Sequence, residues 1–153
     1  MREFFPTPYP DECLYSILCR YYVRIGGAGD YKASKTLFGA NQSLAVTILL
    51  PAKPECIDLW VPAESGITRF SLTNNHTMYP YFTVSQTPEM RTEIKRVLNG
   101  GIPSPKHDRR VTQKTLHSRL QYLPYCPLCA TENVDTFGEA YWHRKHQLPG
   151  SYY

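Results

Sequence analysis

Two cysteines near the end of the chain, in Tyr125-Cys126-Pro127-Leu128-Cys129, constrain the fold more than any other feature. A Cys-x-x-Cys turn presents two thiolates on one side of a tight loop, which is half of a tetrahedral zinc site. Pro127 tightens such a turn. The alternatives are a redox pair or two idle thiols. A redox pair usually opens a helix within a βαβ unit, and no such alternation is visible here. The expected cofactor is therefore Zn2+, held by Cys126 and Cys129. The soft or borderline donors downstream are His143 and His146. On a helix they share a face, and both are candidate third and fourth ligands. Finger histidines, however, are normally separated by three to five residues, and these are separated by two. The competing reading has the two imidazoles and Trp142 packing and hydrogen-bonding against the cysteine segment.

Five cysteines, an odd number, argue against a disulfide framework. The N-terminal run Met1-Arg2-Glu3-Phe4-Phe5-Pro6 lacks the apolar region of a signal peptide. No apolar run approaches the ~20 residues needed to cross a membrane. The expected location is the cytoplasm, with no membrane partner. In 153 residues the 42% hydrophobic content suffices for a core, and 13 prolines point to short elements with stiff connections. The expectation is a mainly α fold with minor β. It divides into a helical part over residues 1–121 and a zinc-finger segment over 122–153.

Helical spacing of Leu14, Ile17, Leu18, Tyr21, Tyr22 and Ile25 predicts a first helix. Asp11 is its expected N-cap, and Gly26-Gly27 its stop. A second short helix fits Tyr31 to Phe38, so the pair is a candidate helix-turn-helix or an ordinary helical hairpin. The apolar stretch Ser43 to Leu50 reads as a strand or an extended connection. Further helices are expected from Pro54 to Trp60, from Ser65 to Leu72, and from Pro88 to about Leu98. Asn74 to Tyr81 reads as a loop with buried aromatics. Cys13, Cys19 and Cys56 read as packing thiols, and His76 as a satisfied, half-buried histidine.

The formal net charge is +4, yet Lys106, Arg109, Arg110, Lys114 and Arg119 crowd one segment. They are either a solvated face or contacts to nucleic-acid phosphates. Catalysis finds little support. The chain has no Gly-rich phosphate loop, no Gly-x-Ser-x-Gly, and no carboxylate spacing of a two-metal nuclease. A zinc-dependent or thiol enzyme using Cys126, Cys129, His143 and His146 is the rival class. A thiol committed to zinc is, however, unavailable for attack.

Several segments together resemble the TnsD/TniQ family, the target-selecting subunits of bacterial transposons with TnsA/TnsB/TnsC machinery. They are Tyr9 to Tyr21, the Leu37-Phe38-Gly39 step, Asn75 to Tyr81, Tyr125 to Cys129, and Phe137 to Gly150. The resemblance spans nearly the whole sequence and lies closer to the TnsD branch. It implies a bacterial, DNA-binding, non-enzymatic protein that recruits a TnsC-like AAA+ ATPase. The expected ATPase contacts are the exposed residues of the first helices, Arg20, Arg24, Lys32 and Lys35. A protein-interaction module without DNA contacts of its own is the further alternative. The resemblance also implies a second Cys-x-x-His pair shortly after Leu148-Pro149-Gly150, closing a three-cysteine, one-histidine site. The sequence ends at Tyr153, so the expectation is an N-terminal portion that carries half of that site.

Overall fold

The computed structural model describes residues 4–26, 57–98, 123–148 and 150. The expected second helix, the apolar stretch Ser43 to Leu50, Cys56, the pair Lys32 and Lys35, and the basic residues Lys106, Arg109, Arg110, Lys114 and Arg119 lie outside them. So does the boundary expected at residues 121 and 122. The described residues are mainly helical: α1 Leu14–Arg24, α2 Ile57–Trp60, α3 Arg69–His76, α4 Tyr79–Val84, α5 Pro88–Leu98 and α6 Pro127–Phe137. Single 3-10 turns occupy Ala63–Ser65 and Lys145–Gln147. None of the described helices is long and apolar enough to cross a membrane. Among the described residues the minor β content is one isolated antiparallel bridge, between Glu12 and His143.

Helix α1 organises the core. Leu14, Ile17, Leu18 and Tyr21 share one face of it and are buried together with Phe5, Ile57, Trp60 and Leu72. At about 25 cal/mol per Å2 of apolar surface, burying each such side chain contributes roughly 1.5–3 kcal/mol. The α1 stripe and α3 pack against one another. The N-cap is Cys13, in extended conformation and without a side-chain cap bond. Asp11, the expected cap, sits two residues upstream with a left-handed φ of 55°. Its carboxylate is turned instead to the C-terminal segment. Gly26, at φ 73°, ends the helix region as expected.

Two other expectations change. The helix expected over Ser65 to Leu72 is displaced to Arg69–His76. Gly66 adopts φ 69°, which interrupts a helix, and Thr68 caps the new start. Ser71 N donates to Thr68 Oγ1 and Thr68 N donates to Ser71 Oγ, both at 3.0 Å, which satisfies two terminal donors reciprocally. An Arg69–Asp58 ion pair ties α3 to α2. The loop expected over Asn74 to Tyr81 holds the end of α3 and the start of α4. Pro80 stands in the first turn of α4, where its missing N–H costs nothing. Tyr81 is exposed, and the buried residues there are Thr77 and Met78. Helix α5 falls where its sequence places it. From its first turn, Arg91 donates to the carbonyls of Val84 and Gln86 at 2.8 and 3.0 Å, closing the end of α4.

Candidate functional site

Cys126 and Cys129 do not form a free-standing loop. Cys126 is the N-cap of α6, Pro127 its first residue, and Cys129 lies in its first turn. Proline is pre-organised at that position. The first N–H groups of a helix have no internal partner, and a thiolate can accept them. The Cys126 thiol is accordingly held below its ordinary value, mainly by the Cys129 N–H, and further by the Cys129 thiol, the Leu128 N–H and the charge of Lys145. Desolvation and the neighbouring Cys126 push Cys129 up. The donor chemistry fits two of the four positions of a tetrahedral zinc site, since the thiolate is the ligating form. Among the described residues, no group of three or more His, Cys, Asp or Glu side chains stands together to hold an ion. His143 and His146 therefore do not join the two cysteines in such a group.

The two histidines pack against one another and, through His143, against Tyr141. Their rings lie 5.0 Å apart, and His143 stacks on Tyr141 at 4.5 Å. His143 Nε2 lies 3.0 Å from Asn133 Nδ2, and its Nδ1 lies 3.8 Å from Asp11 Oδ2. Desolvation lowers the proton affinity of His143 and of His146, so both are neutral at neutral pH. His76, half-buried as expected, donates from Nδ1 to the Glu12 carbonyl at 2.6 Å. That bond fixes its tautomer, because a carbonyl only accepts.

A polar network ties α1 to the C-terminal segment. Glu12 is completely buried. Its carboxylate accepts from Tyr9 N at 2.9 Å, Ser16 Oγ at 2.8 Å and Arg20 Nη1 at 2.7 Å. Burial pushes the Glu12 carboxyl up, and those donors pull it back. Arg20 continues through Nε to Glu139 Oε1 at 2.8 Å and through Nη1 to the Thr7 carbonyl at 3.2 Å. Its guanidinium also lies 3.7 Å from the centre of the Tyr9 ring. Arg24 reaches the same Glu139 oxygen at 2.5 Å and Tyr9 Oη donates to it at 2.9 Å. The expectation of an exposed Arg20 is thus overturned: it is 8% exposed, because two carboxylates, a carbonyl and an aromatic face enclose it. Arg24 remains at the surface.

Backbone bonds complete the junction. Cys13 N donates to Trp142 O at 2.8 Å and Arg144 N donates to Asp11 O at 2.7 Å. Asp11 also accepts from Lys145 N at 3.1 Å and Arg144 Nε at 3.3 Å, and Arg144 Nη1 donates to Asn74 O at 2.7 Å. The sequence reading missed Glu12, Asn133 and Glu139, and gave Asp11 a capping role in place of its bonds to Arg144 and Lys145. A signal existed for the first. Glu12, Ser16, Arg20 and Arg24 recur every four residues, which places them along one side of a helix.

The family model described as TniQ matches residues 3–152. The Escherichia coli "Transposon Tn7 transposition protein TnsD" is 26% identical over 149 residues, covering 97% of this chain and 29% of that protein. The chain thus spans under a third of the length of that relative.

Proposed function

Because the chain belongs to the TniQ family, we propose that it acts in transposition target selection, binding DNA and recruiting a TnsC-like AAA+ ATPase to the target. The family match across residues 3–152 carries this reading. The work is positioning, with no bond made or broken by this chain. On α1 the accessible candidate contact for the ATPase is Arg24, whereas Arg20 is committed to the interior. A pull-down of the cognate ATPase by this chain, with and without DNA, is expected to retain the ATPase. Arg24→Gln is expected to reduce the retained amount by about tenfold; because it also gives up the ion pair with Glu139, its thermal unfolding is measured beside the wild type. An ATPase that is never retained by the folded wild type would refute the recruiting role. Metal-dependent DNA cleavage by this chain would refute the non-enzymatic one.

The DNA contact is assigned to Lys106, Arg109, Arg110, Lys114 and Arg119. Each phosphate neutralised releases counterions, so affinity falls linearly with salt on logarithmic axes. Neutralising Arg109 and Arg110 together should weaken binding to every sequence and flatten that slope by about two contacts. Unchanged affinity and slope would identify a solvated face.

Zinc is assigned to Cys126 and Cys129, as a structural ion that would fix the first turn of α6. Metal analysis should find up to about one zinc per chain, and Cys126→Ser with Cys129→Ser should abolish it. Full zinc content in that double variant would refute the assignment.

A further inference from the structure

We propose that the open cleft between Pro8 to Asp11, the end of α3 and Arg144 is where the recruited ATPase docks, by an extended and uncharged stretch of its main chain. The proposal rests on the recruiting role given above and assigns the place of contact.

The cleft holds about 470 Å3 and is walled by Pro8 to Asp11 on one side, by Asn75 and His76 on another, and by Arg144. What it offers a ligand follows from what its polar atoms already hold. His76 donates from Nδ1 to the Glu12 carbonyl at 2.6 Å, so in the neutral ring Nε2 carries the lone pair and accepts. Burial, helped by the nearby Arg144 charge, lowers the proton affinity of that ring and keeps it neutral near neutral pH. Arg144 commits Nε to Asp11 and Nη1 to the Asn74 carbonyl. Its Nη2 donates to no side chain or carbonyl among the described residues. Asn75 is exposed, and its amide, both donor and acceptor, is likewise uncommitted among the described residues. One open acceptor, one open donor and one amide that is both therefore line the same cleft.

That set suits a peptide main chain, which alternates N–H donors with C=O acceptors. It does not suit nucleic acid. Arg144 is the one Lys or Arg among the lining residues, and it is paired with Asp11. The Asp11 carboxylate and the negative end of the α3 dipole are both unfavourable to a phosphate there. A splayed base needs an aromatic face to stack on. Tyr9 offers none: the Arg20 guanidinium lies 3.7 Å from its ring centre, and the Phe137 and Tyr141 rings stand 4.6 and 5.1 Å away. The cleft is also built in advance. Its walls are tied together by the bonds of His76 to Glu12, Arg144 to Asn74 and Arg144 to Asp11, so little order has to be created on binding. Tyr9 Oη meets Glu139, the ion-pair partner of Arg24, so a single carboxylate joins a wall of the cleft to the other candidate contact.

The test is retention of the cognate ATPase by the full chain carrying Asn75→Trp or Asn75→Ala, with DNA affinity and thermal unfolding measured on the same samples. Because Asn75 is exposed and its side chain is uncommitted, both variants should unfold with the wild type. Asn75→Trp, which fills the cleft, should cut retention about tenfold, and Asn75→Ala, which removes the amide alone, about threefold. DNA affinity should be unchanged in both. In isotope-labelled wild type, the His76 Nε2 resonance should move when the ATPase is added. Full retention by both variants would overturn the proposal and leave the recruiting role standing, since the wild type still holds the ATPase. An unmoved His76 resonance with the ATPase bound would overturn it too. Weakened DNA binding with full retention would overturn it in favour of a nucleic-acid ligand. A wild type that retains no ATPase would overturn the recruiting role and this proposal with it.

Discussion

Arg20→Ala is expected to destabilise the protein by about 3–5 kcal/mol at neutral pH, the usual cost of removing one partner of a buried ion pair. The reason is local. Glu12 is fully buried, and Arg20 supplies its one cationic neighbour in the network described above. Ser16 and Tyr9 N still donate to Glu12 in the variant, so the carboxyl keeps polar partners but loses its countercharge. Burial already pushes Glu12 up, and without Arg20 its folded value rises further. A carboxyl raised on folding stabilises below its unfolded value and loses that contribution as pH rises through its folded value. The loss in Arg20→Ala should therefore be largest near neutrality and shrink toward acid. Denaturant titrations of wild type and variant at several pH values give the measurement. A loss independent of pH would show that Glu12 does not sense Arg20. Arg20→Lys should recover only part of the stability. A point charge can meet Glu12 but cannot span Glu12, Glu139 and the Thr7 carbonyl as the planar guanidinium does.

Trp60→Ala should cost about 3–5 kcal/mol, by lost burial and the cavity left behind. Helix α2 has four residues, too few to persist alone, and its buried anchors are Ile57 and Trp60. Trp60 is 1% exposed and belongs to the cluster that also holds Leu14, Ile17 and Leu72. Its removal should unfasten α2 from α1 as well as lower global stability. Trp60→Phe should cost markedly less, since the ring fills most of the space. Equal losses for Ala and Phe would point to a polar role for the indole instead of packing.

What the sequence discloses here depends on whether an interaction is local. The stripe Leu14, Ile17, Leu18 and Tyr21 repeats at helical spacing, so α1 was legible, and the same holds for α5 with Pro88 at its first residue. The start of α3 was misread because Thr68 and Ser71 make an unannounced reciprocal cap while Gly66 breaks the run before it. Pro80 and Pro127 read as loop or turn residues, yet both stand in first turns of helices. The cysteine pair was found by spacing alone, whereas its placement at a helix start was not. The polar network was the least legible part. Arg20 looked like a surface residue because its partner Glu139 lies 119 positions away. Asp11 looked like a cap because its true partners, Arg144 and Lys145, lie 133 and 134 positions away.

Those separations carry a consequence for the order in which the protein matures during translation. Tyr9 waits 130 residues for Glu139, and Tyr141 bonds a carbonyl 131 residues behind it. At about 5–20 residues per second of synthesis, the first helix stands roughly 6–24 s on the ribosome before its counterpart has been made. Throughout that interval Glu12 and Arg20 have each other but not Glu139, and the Cys13 N–H has no Trp142 carbonyl to meet. The nascent chain can collapse its apolar stripe early, but its polar seam closes only after residue 139 has emerged. Loop closure over such distances is entropically slow, and the seam is completed by docking residues 139–148 onto an N-terminal part that has already collapsed.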